Sequence, residues 1–405
     1  MQEQRLTARR LGEYRKWLTR RKVDEVAHGA LKLAGKRVYE INSTATGGGV
    51  VELLQSQVPL MIGLGIDARW LVLPPDDRFF AITKQLHNAL QGGRNALPDD
   101  IEYYDTYTQQ AAKSLPLDGD LYILHDPQTL GLIPFLAGKP VIWRCHIDLT
   151  NAEPRTFAWV RRRLHSVRRS IFSLASYTAG MPNSALVAPS IDPLTPKNQP
   201  LKRVEAEKIL AKHGIVATKP LMTQISRYDR FKDPLGVVHL AERVRQEVPD
   251  LQCVLLGNYA TDDPEGAEVY AEVLKAAEGQ PLTQLLVNAP DNDVLVNALQ
   301  SRADIVVQNS NREGFGLTVT EAMWKRALVC ARPVGGIILQ VKNRRTGLYL
   351  TGELTRDALI IERALERRAQ RRQLGAAAHD WVAEHFITPV MLGDYLSIYA
   401  AALVD

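Results

Sequence analysis

The stretch RVYEINSTATGGGVVELLQSQVPLMIGLG, residues 37–65, decides the fold. It begins as a short strand pattern at 37–42, passes through a glycine-rich turn and continues as a helix pattern at 50–65. Strands that alternate with helices build parallel sheets with right-handed crossovers. The glycines let the backbone approach a ligand closely, and the helix N-terminus that follows suits a phosphate or an oxyanion. A merely tight strand-to-helix turn would explain the same glycines.

The same alternation runs along the chain in two series. The first series has strand patterns at 37–42, 68–73, 120–125, 140–146 and 184–190. The second series has strand patterns at 221–226, 251–257, 283–289, 303–310 and 327–332. Between them, the segment IDPLTPKNQPL is rich in proline and polar residues and is the best linker candidate. We therefore predict two facing, doubly wound α/β domains, residues 1–193 and 194–386, with a C-terminal helix at about 387–405 packing back on the first.

The composition favours binding of anionic small molecules over binding of nucleic acid. The chain has 405 residues, with 50 basic and 45 acidic side chains and a formal net charge of +5. Basic clusters at 161–170 and 366–373 are predicted to be solvated helix faces, and no basic stripe is interleaved with aromatic residues. The three cysteines, Cys145, Cys253 and Cys330, lie far apart in apolar strand patterns, so we predict reduced core residues.

The sequence predicts a soluble, cytoplasmic protein. The first 17 residues are polar with a helical pattern and lack the apolar core of a signal peptide. No apolar run reaches the roughly 18 residues that a membrane-spanning helix needs.

Polar residues follow two strands of the first series. His125 and Asp126 end one strand pattern, and His146 and Asp148 end the next. Such side chains hydrogen-bond sugar hydroxyls or take part in acid–base chemistry. A capped turn would explain either pair alone. Because ligands of open parallel sheets sit beyond the carboxyl ends of the strands, the two pairs together predict a shared site.

Two cations follow the first strand of the second series. Arg227 and Lys232 stand five residues apart in ISRYDRFKDP. Arginine offers a planar fork for phosphate oxygens and lysine a compact point charge, so the pair predicts an anionic ligand. An ordinary surface loop is the alternative.

The segment NREGFGLTVTEAMW, residues 311–324, places two acids around a Gly-Phe-Gly corner. The amides of Leu317 and Thr318 fall in the first turn of a predicted helix, where they can donate to a phosphate. Glu321 lies within that helix and can accept hydrogen bonds from a ribose diol, and Glu313 can reach another part of the ligand. The alternative has both acids exposed to solvent, with Glu321 complementing the helix dipole.

These residues carry a resemblance to a known family. The Glu-x7-Glu spacing of EGFGLTVTE resembles the signature of retaining nucleotide-sugar glycosyltransferases with two facing Rossmann-like domains, the GT-B fold. Arg227 and Lys232 match their diphosphate-binding Arg-x4-Lys, although Ser226 stands where the family usually has glycine. More narrowly, stretches between residues 42 and 325 resemble the trehalose glycosyltransferring synthases. The resemblance implies an α/β GT-B fold with a cleft between the two domains.

The resemblance also implies roles for individual residues. The implied catalytic residues are Arg227, Lys232, His146 and Glu313. The implied contacts to the donor nucleotide and phosphates are Gly48, Gly49, Arg227, Lys232, Ala289, Leu317, Thr318 and Glu321. The implied sugar contacts are Asp126, His146, Glu313, Gly314, Phe315, Gly316, Glu40 and Asn42.

The function that the resemblance implies is glucose transfer from a nucleoside-diphosphate glucose to free glucose, giving α,α-trehalose. It implies retention at the anomeric carbon, no essential cofactor and no metal site, with Mg²⁺ at most stimulatory. No Asp-x-Asp follows a predicted strand, and the acidic pair of ATDDPEG, residues 260–266, is predicted to be a loop with a helix cap. The expected partners are the small-molecule substrates and a second copy of the chain, without nucleic acid or membrane.

Several alternatives stay open from the sequence. A trehalose phosphorylase would use inorganic phosphate in place of the nucleotide, and a related transferase would use another acceptor. A non-catalytic nucleotide-sugar-binding protein would not need this full set of charged residues. A dinucleotide-dependent oxidoreductase would require a GxGxxG after a strand, which the chain lacks. The sequence does not identify the nucleobase.

Overall fold

A computed structural model describes residues 1–93, 97–257 and 264–404. The strands, in chain order, are β1 Gln2–Gln4, β2 Arg37–Asn42, β3 Asp67–Val72, β4 Leu121–His125, β5 Val141–Arg144, β6 Arg169–Phe172, β7 Ser184–Leu186, β8 Leu221–Ile225, β9 Gln252–Gly257, β10 Thr283–Val287, β11 Ile305–Gln308, β12 Leu328–Ala331 and β13 Leu348–Tyr349. The α-helices are α1 Arg20–Leu31, α2 Gly49–Gly63, α3 Asp77–Leu90, α4 Ile101–Ala112, α5 Pro154–Arg163, α6 Arg203–Ala211, α7 Pro234–Val244, α8 Pro264–Ala277, α9 Asn292–Arg302, α10 Leu317–Trp324, α11 Ile337–Gln340, α12 Leu354–Glu366, α13 Arg368–His385 and α14 Thr388–Ala402. Short 3-10 helices span Leu11–Trp17, Pro127–Leu136, Leu164–Ser166, Ala175–Thr178 and Arg230–Lys232.

The chain divides into two compact units, which are residues 1–190 with 387–405 (unit 1) and residues 191–386 (unit 2). The sheet of unit 1 has the order β1-β3-β2-β4-β5-β6-β7, with β1 antiparallel and the other strands parallel. The sheet of unit 2 has the order β10-β9-β8-β11-β12-β13 and is parallel throughout. In both, the order reverses beside the first long strand of the series, so each sheet is doubly wound.

The strands of unit 2 are apolar on both faces because helices cover both. Met222 and Leu255 point into a cluster with residues of α7, α8 and α12. Their neighbours Leu221 and Val254 point into the opposite cluster, with residues of α6 and α9. Successive side chains of a strand alternate between faces, so a strand with helices on both sides needs a continuous apolar run. The continuous apolar runs of the second series therefore predicted its strands.

The predictions for two polar segments were wrong. Gln2–Gln4, within the stretch predicted to be helical, pairs with the free edge of β3. The basic cluster at 161–170 is α-helical only up to Arg163 and forms a 3-10 turn at Leu164–Ser166, and β6 begins at Arg169, between β5 and β7. In both segments backbone pairing with a neighbouring strand overrides the polar pattern. The short strand β13 was not predicted, and the pattern at 184–190 is a strand only over Ser184–Leu186.

Other features of the described residues concern the cysteines, the membrane and the last helix. All three cysteines are buried and unpaired by disulfides, and burial raises the pKa of the Cys253 thiol to about 12. Within residues 1–93, 97–257 and 264–404, no helix is both long and apolar enough to cross a bilayer. Helix α14 returns to unit 1, where it packs against α1 and α2.

The acids Asp262 and Asp263 of the predicted capped loop lie outside the described residues.

Candidate active site

Strands β4 and β5 bring two histidines together in unit 1. The strands are parallel neighbours, so His125, at the end of β4, and His146, just after β5, lie at the same edge of the sheet. His125 Nδ1 is 2.9 Å from His146 Nε2, and the rings stack with centroids 5.2 Å apart. On its other side, His125 Nε2 is 2.7 Å from Glu40 Oε2. These three side chains form a continuous chain of hydrogen bonds that ends at His146.

Glu40 sets the orientation of this chain. It is fully buried on β2, next to β4, and its other oxygen accepts hydrogen bonds from Gln57 Nε2 at 2.8 Å and from the Tyr399 hydroxyl at 2.9 Å. The carboxylate of Glu40 accepts a hydrogen bond from His125 Nε2–H, so the singly protonated ring of His125 offers Nδ1 as an acceptor to His146 Nε2–H. His146 then presents Nδ1 as an unprotonated acceptor. A carboxylate that orients one histidine through another is a familiar device for holding one tautomer.

Two residues with predicted sugar contacts have supporting positions instead. Among the described residues, Glu40 hydrogen-bonds to the side chains of Gln57, His125 and Tyr399, and it is fully buried. Asn42 is buried as well; its Oδ1 accepts from Trp70 Nε1 at 2.7 Å, and its Nδ2 donates to the carbonyl of Thr44 at 2.7 Å. Asn42 therefore holds the start of the glycine loop. The sequence pattern could not separate these roles, because both residues lie in the second half of the same strand.

Asp126 and His146 are joined through the backbone. Asp126 has a left-handed φ of 59°, and its Oδ1 accepts a hydrogen bond from the amide of His146 at 2.7 Å. Removal from water raises the pKa of the Asp126 carboxyl to about 6. The same removal, with the nearby positive charge of Arg144, holds the pKa of His146 well below its usual range. At neutral pH the site therefore offers a neutral imidazole beside a carboxylate. Asp148, from the second predicted pair, accepts from the Thr150 amide at 2.8 Å, as in a capped turn.

The glycine loop ends at the N-terminus of α2. Gly48 has φ 82° and ψ 161°, which a residue with a side chain rarely adopts, and it precedes the first helical residue, Gly49. A Cβ added at Gly48 would meet no atom within 4 Å, so the backbone conformation, not crowding, requires glycine here. Both residues are exposed. The loop leaves the first amides of a 15-residue helix accessible to an anion.

In unit 2, Lys232 and Glu313 form a close ion pair. Lys232 Nζ lies 2.7 Å from Glu313 Oε2, and Gln308 Nε2 and Ser310 Oγ each approach the same oxygen at 3.3 Å. Both members of the pair are largely withdrawn from solvent. Arg227, by contrast, leaves 72% of its side chain exposed, with Nη2 at 3.1 Å from Asp229 Oδ2. The structure thus brings Lys232 and Glu313 together and leaves Arg227 at the surface nearby.

The Gly-Phe-Gly corner is pinned to its neighbours. Gly316 has φ 84° and precedes α10, whose first residues are Leu317 and Thr318. The carbonyl of Gly314 accepts from the amide of Gly336 at 3.1 Å, and the ring of Phe315 packs edge-on against Phe386. The ring of Phe315 is therefore part of the core, and a sugar contact at 314–316 would fall to the backbone. The amides of the first turn of α10 lie where the sequence predicted them.

Glu321 is buried, with 1% of its surface exposed, so the exposed alternative is wrong. Its Oε1 lies 2.9 Å from Lys197 Nζ, while its Oε2 has no hydrogen-bond donor among the described residues. Buried carboxylate oxygens are nearly always hydrogen-bonded, so this atom marks a place for a donor. Sequence reasoning missed Lys197, which lies in the linker segment PLTPKN and gives no local signal.

A second lysine supports the same helix. Lys325 Nζ donates to Gln300 Oε1 at 2.8 Å, Asn198 Oδ1 at 3.0 Å and the carbonyl of Glu321 at 3.3 Å. Burial lowers the pKa of Lys325 to about 7, against a smaller opposing effect of Glu321. Ala289, predicted to contact the base through its backbone, lies two residues after β10 and is half-buried. Its contact with a base stays a prediction.

No metal centre appears in the parts of the chain that the structure describes: no three histidine, cysteine, aspartate or glutamate side chains there are grouped to hold an ion.

Comparison with known proteins identifies the family. Residues 40–179 match the family model of the trehalose synthase N-terminal domain, and residues 205–381 match that of group 1 glycosyl transferases. The chain is 36% identical to the trehalose synthase of Rubrobacter xylanophilus over 97% of both chains. It is 26% identical to the trehalose phosphorylase of Pleurotus sajor-caju, over 78% of this chain and 51% of that protein.

A solved structure shows the same fold. Anabaena Alr3699/HepE in complex with UDP and glucose superposes with a TM-score of 0.67 at 15% identity, covering 90% of this chain and 100% of that one. With the two doubly wound parallel sheets, this confirms the predicted GT-B fold. The chain belongs to the trehalose synthase family of glycosyltransferases.

Proposed function

We propose that this protein transfers glucose from a nucleoside-diphosphate glucose to the anomeric hydroxyl of free glucose and forms α,α-trehalose. The observation that carries the proposal is Glu321 Oε2, a buried carboxylate oxygen without a donor among the described residues. Leaving such an atom unpaired costs roughly 1–3 kcal/mol, more for a charged group. A ribose diol supplies the missing hydrogen bond from a neutral hydroxyl, whereas an inorganic phosphate anion beside this carboxylate would add repulsion between like charges.

The diphosphate is assigned to the groups around α10. Lys232 brings a partly buried positive charge, Arg227 adds an exposed fork, and the amides of Leu317 and Thr318 open the helix. Charge-assisted hydrogen bonds to a phosphate that gains charge as its bond to carbon breaks are among the largest contributions to catalysis. We assign the glucose hydroxyls of the donor to Glu313, whose position Lys232 fixes.

The sugars near the reacting bond are assigned to unit 1. His146 presents an unprotonated Nδ1, and Asp126 presents a carboxylate that is ionised at neutral pH. Both accept hydrogen bonds from hydroxyl groups, and Gly48 and Gly49 let backbone amides approach. The role of Glu40 and His125 is to hold the ring of His146.

The proposed step needs no enzyme nucleophile. The bond between C1 of glucose and the diphosphate oxygen breaks, and the oxygen of the acceptor's anomeric hydroxyl forms a new bond to C1 on the same face. The proton of that hydroxyl passes to the departing phosphate oxygen. The protein then contributes position and charge stabilisation. Retention of the anomeric configuration follows from attack on the face that the phosphate leaves.

A trehalose phosphorylase is the second candidate, favoured by the match to the Pleurotus sajor-caju protein. It would make glucose 1-phosphate from trehalose and inorganic phosphate. In that reaction the unpaired oxygen of Glu321 would have no ribose to meet.

A donor screen tests the proposal. The protein is incubated with glucose and each of UDP-, ADP-, GDP- and TDP-glucose, and chromatography follows nucleoside diphosphate and trehalose together. We expect both products with at least one donor, which also identifies the base. Release of nucleoside diphosphate without trehalose would show that the protein is a glucosyltransferase with an acceptor other than glucose. No turnover with any donor, together with glucose 1-phosphate from trehalose and phosphate, would replace it by the phosphorylase reaction.

A further inference from the structure

Unit 2 has a recess at the edge of its sheet opposite the candidate active site. Lys219 precedes β8, Asp304 precedes β11 and Arg326 precedes β12, and all three line the recess. In a parallel sheet the amino ends of the strands share one edge and the carboxyl ends, which carry Lys232 and Glu313, share the other. The recess has a volume of about 570 Å³. This lies within the range of small-molecule pockets, roughly 300–1,000 Å³.

The lining of the recess is strongly basic. Seven lysine and arginine side chains line it, against two carboxylates, those of Glu207 and Asp304. Both carboxylates already have partners: Arg203 Nε lies 2.7 Å from Glu207, and Arg371 Nη2 lies 3.0 Å from Asp304. The carboxylates therefore neutralise the cations beside them, and Lys219 is paired outside the recess, with its Nζ 2.9 Å from Asp250 Oδ1.

Three arginines of the lining have no acidic partner among the residues that the structure describes. They are Arg326, Arg368 and Arg372, and all three are exposed. Arg368 is the first residue of α13, and the first turn of this helix contains no acid. Cations at a helix N-terminus oppose the helix dipole, so this arrangement costs free energy unless an anion is bound.

The floor of the recess contains a further donor without a hydrogen-bond partner. Arg302 is buried, with 7% of its surface exposed. Its guanidinium donates to the carbonyls of Ala217 and Lys219 and lies 3.3 Å from Asp304 Oδ2. Its Nε–H is buried and makes no hydrogen bond within the described residues, and the nearest carboxylate oxygen, of Glu207, is 3.7 Å away. Arg302 therefore adds a buried positive charge to the lining, which Asp304 and Glu207 compensate in part.

We propose that this recess binds a small phosphorylated ligand, with Arg326, Arg368 and Arg372 holding the phosphate. Guanidinium forks match phosphate oxygens in geometry and charge. Arg368 and Arg372 stand one turn apart on α13, Arg326 precedes β12, and all three line one concave space, which fits a compact ligand better than the extended backbone of a nucleic acid. Asp304 and Glu207 are half-buried in the same lining and can accept hydroxyl hydrogen bonds beside their arginine partners, so the ligand is a phosphate monoester of a polyol or sugar, or free phosphate itself. The proposal stands apart from the proposed function, because none of these residues belongs to the candidate active site.

Titration calorimetry on the full chain tests this. The probes are glucose 6-phosphate and inorganic phosphate, in the background of Lys232→Ala with saturating nucleoside diphosphate, so that the donor site does not contribute. We compare this protein with a variant that also carries Arg326→Ala, Arg368→Ala and Arg372→Ala. We expect the triple substitution to weaken binding of the probe at least tenfold. Tighter binding of glucose 6-phosphate would indicate a phosphorylated sugar, and equal affinities would indicate free phosphate.

A control of equal charge makes the result specific. Arg155, Arg161 and Arg162 are exposed arginines on α5 of unit 1, and their replacement by alanine lowers the net charge equally. We expect this control to bind the probe as the parent does. No binding to the parent, unchanged affinity in the recess variant, or equal weakening in the control would each overturn the proposal. The single variant Arg372→Ala repeats the test if thermal melting shows that the triple variant is poorly folded.

Discussion

Lys232 and Glu313, at two separate strand ends of unit 2, meet with 2.7 Å between the ammonium nitrogen and a carboxylate oxygen. Only 15% of the lysine side chain and 9% of the glutamate side chain are exposed. Removing one member of such a pair leaves the other charge without its partner in a poorly solvated place. Catalysis and stability are therefore coupled at this pair, and a test has to separate them.

We expect Lys232→Ala to lower kcat by roughly 10²–10³-fold, because a charge that stabilises the departing diphosphate is lost. The same change should lower the free energy of unfolding by about 3 kcal/mol, since Glu313 loses its cation. Steady-state kinetics and urea unfolding measure the two effects.

The double variant Lys232→Met/Glu313→Gln separates the two effects of this pair. Neither charge then remains, so we expect stability to recover while turnover stays low. Lys275→Ala, at an exposed lysine of α8, is the surface control. Wild-type turnover in Lys232→Ala would show that the phosphate role is wrong.

Glu321→Gln tests the ribose contact. We expect the donor KM to rise on the order of 10-fold or more, with a smaller change in kcat, because a hydrogen bond to a charged group contributes roughly 1.5–3 kcal/mol. Binding of nucleoside diphosphate, measured by calorimetry, should weaken by more than binding of inorganic pyrophosphate, which has no ribose. The exposed Glu278→Gln serves as the control. Equal weakening for both ligands would show that Glu321 acts only through the shape of α10.

His125→Asn tests the hydrogen-bonded chain from Glu40 to His146. Asparagine is too short to keep both contacts, which are 2.7 Å and 2.9 Å in length. Loss of an orienting partner typically costs roughly 10–100-fold in activity, and we expect that loss in kcat with the donor KM nearly unchanged. The exposed His28→Asn, on α1, should have no effect. A normal kcat in a folded His125→Asn protein would argue against any role of this chain in turnover.

Asp126→Asn should change how stability depends on pH. The folded-state pKa of Asp126, about 6, lies above its ordinary value of 3.8, so the folded state binds the proton more tightly than the unfolded state does. Below pH 3.8 both states are protonated, and this carboxyl imposes no penalty. As pH rises through 6 the folded state must ionise it, and the stability of the wild type falls relative to Asp126→Asn.

Urea unfolding of both proteins at pH 4.5 and pH 7.5 measures this change. Between pH 4.5 and pH 7.5, we expect the unfolding free energy of Asp126→Asn to increase relative to that of the wild type by on the order of 2 kcal/mol. The amide of His146 keeps an oxygen acceptor in the variant, so this hydrogen bond does not change between the two proteins. A difference that is independent of pH would show that Asp126 does not titrate in this range.

The sequence by itself determined the features that depend on local spacing. The predicted bounds of β2 agree with the structure, because the side chains of a strand alternate between its faces every two residues. The start of α10 was also predicted correctly, because the Gly-Phe-Gly corner directly precedes that helix. Leu317, Thr318 and Glu321 could be placed on one short helix for the same reason. The strands of unit 2 were predictable because burial on both faces requires a continuous apolar run.

Only the tertiary structure decided which distant residues meet. Lys197 contacts Glu321, and Glu40 contacts His125, although the members of each pair are far apart in the chain. The arginines that line the recess likewise come from distant parts of unit 2. The edge strand Gln2–Gln4 depended on the free edge of β3 in the same way. Strand order and register set these contacts, and they follow from the packing of the whole sheet. A local pattern places a residue on a strand but does not show what its side chain contacts. For Glu40 the sequence predicted a sugar contact, and the structure shows contacts with neighbouring side chains instead.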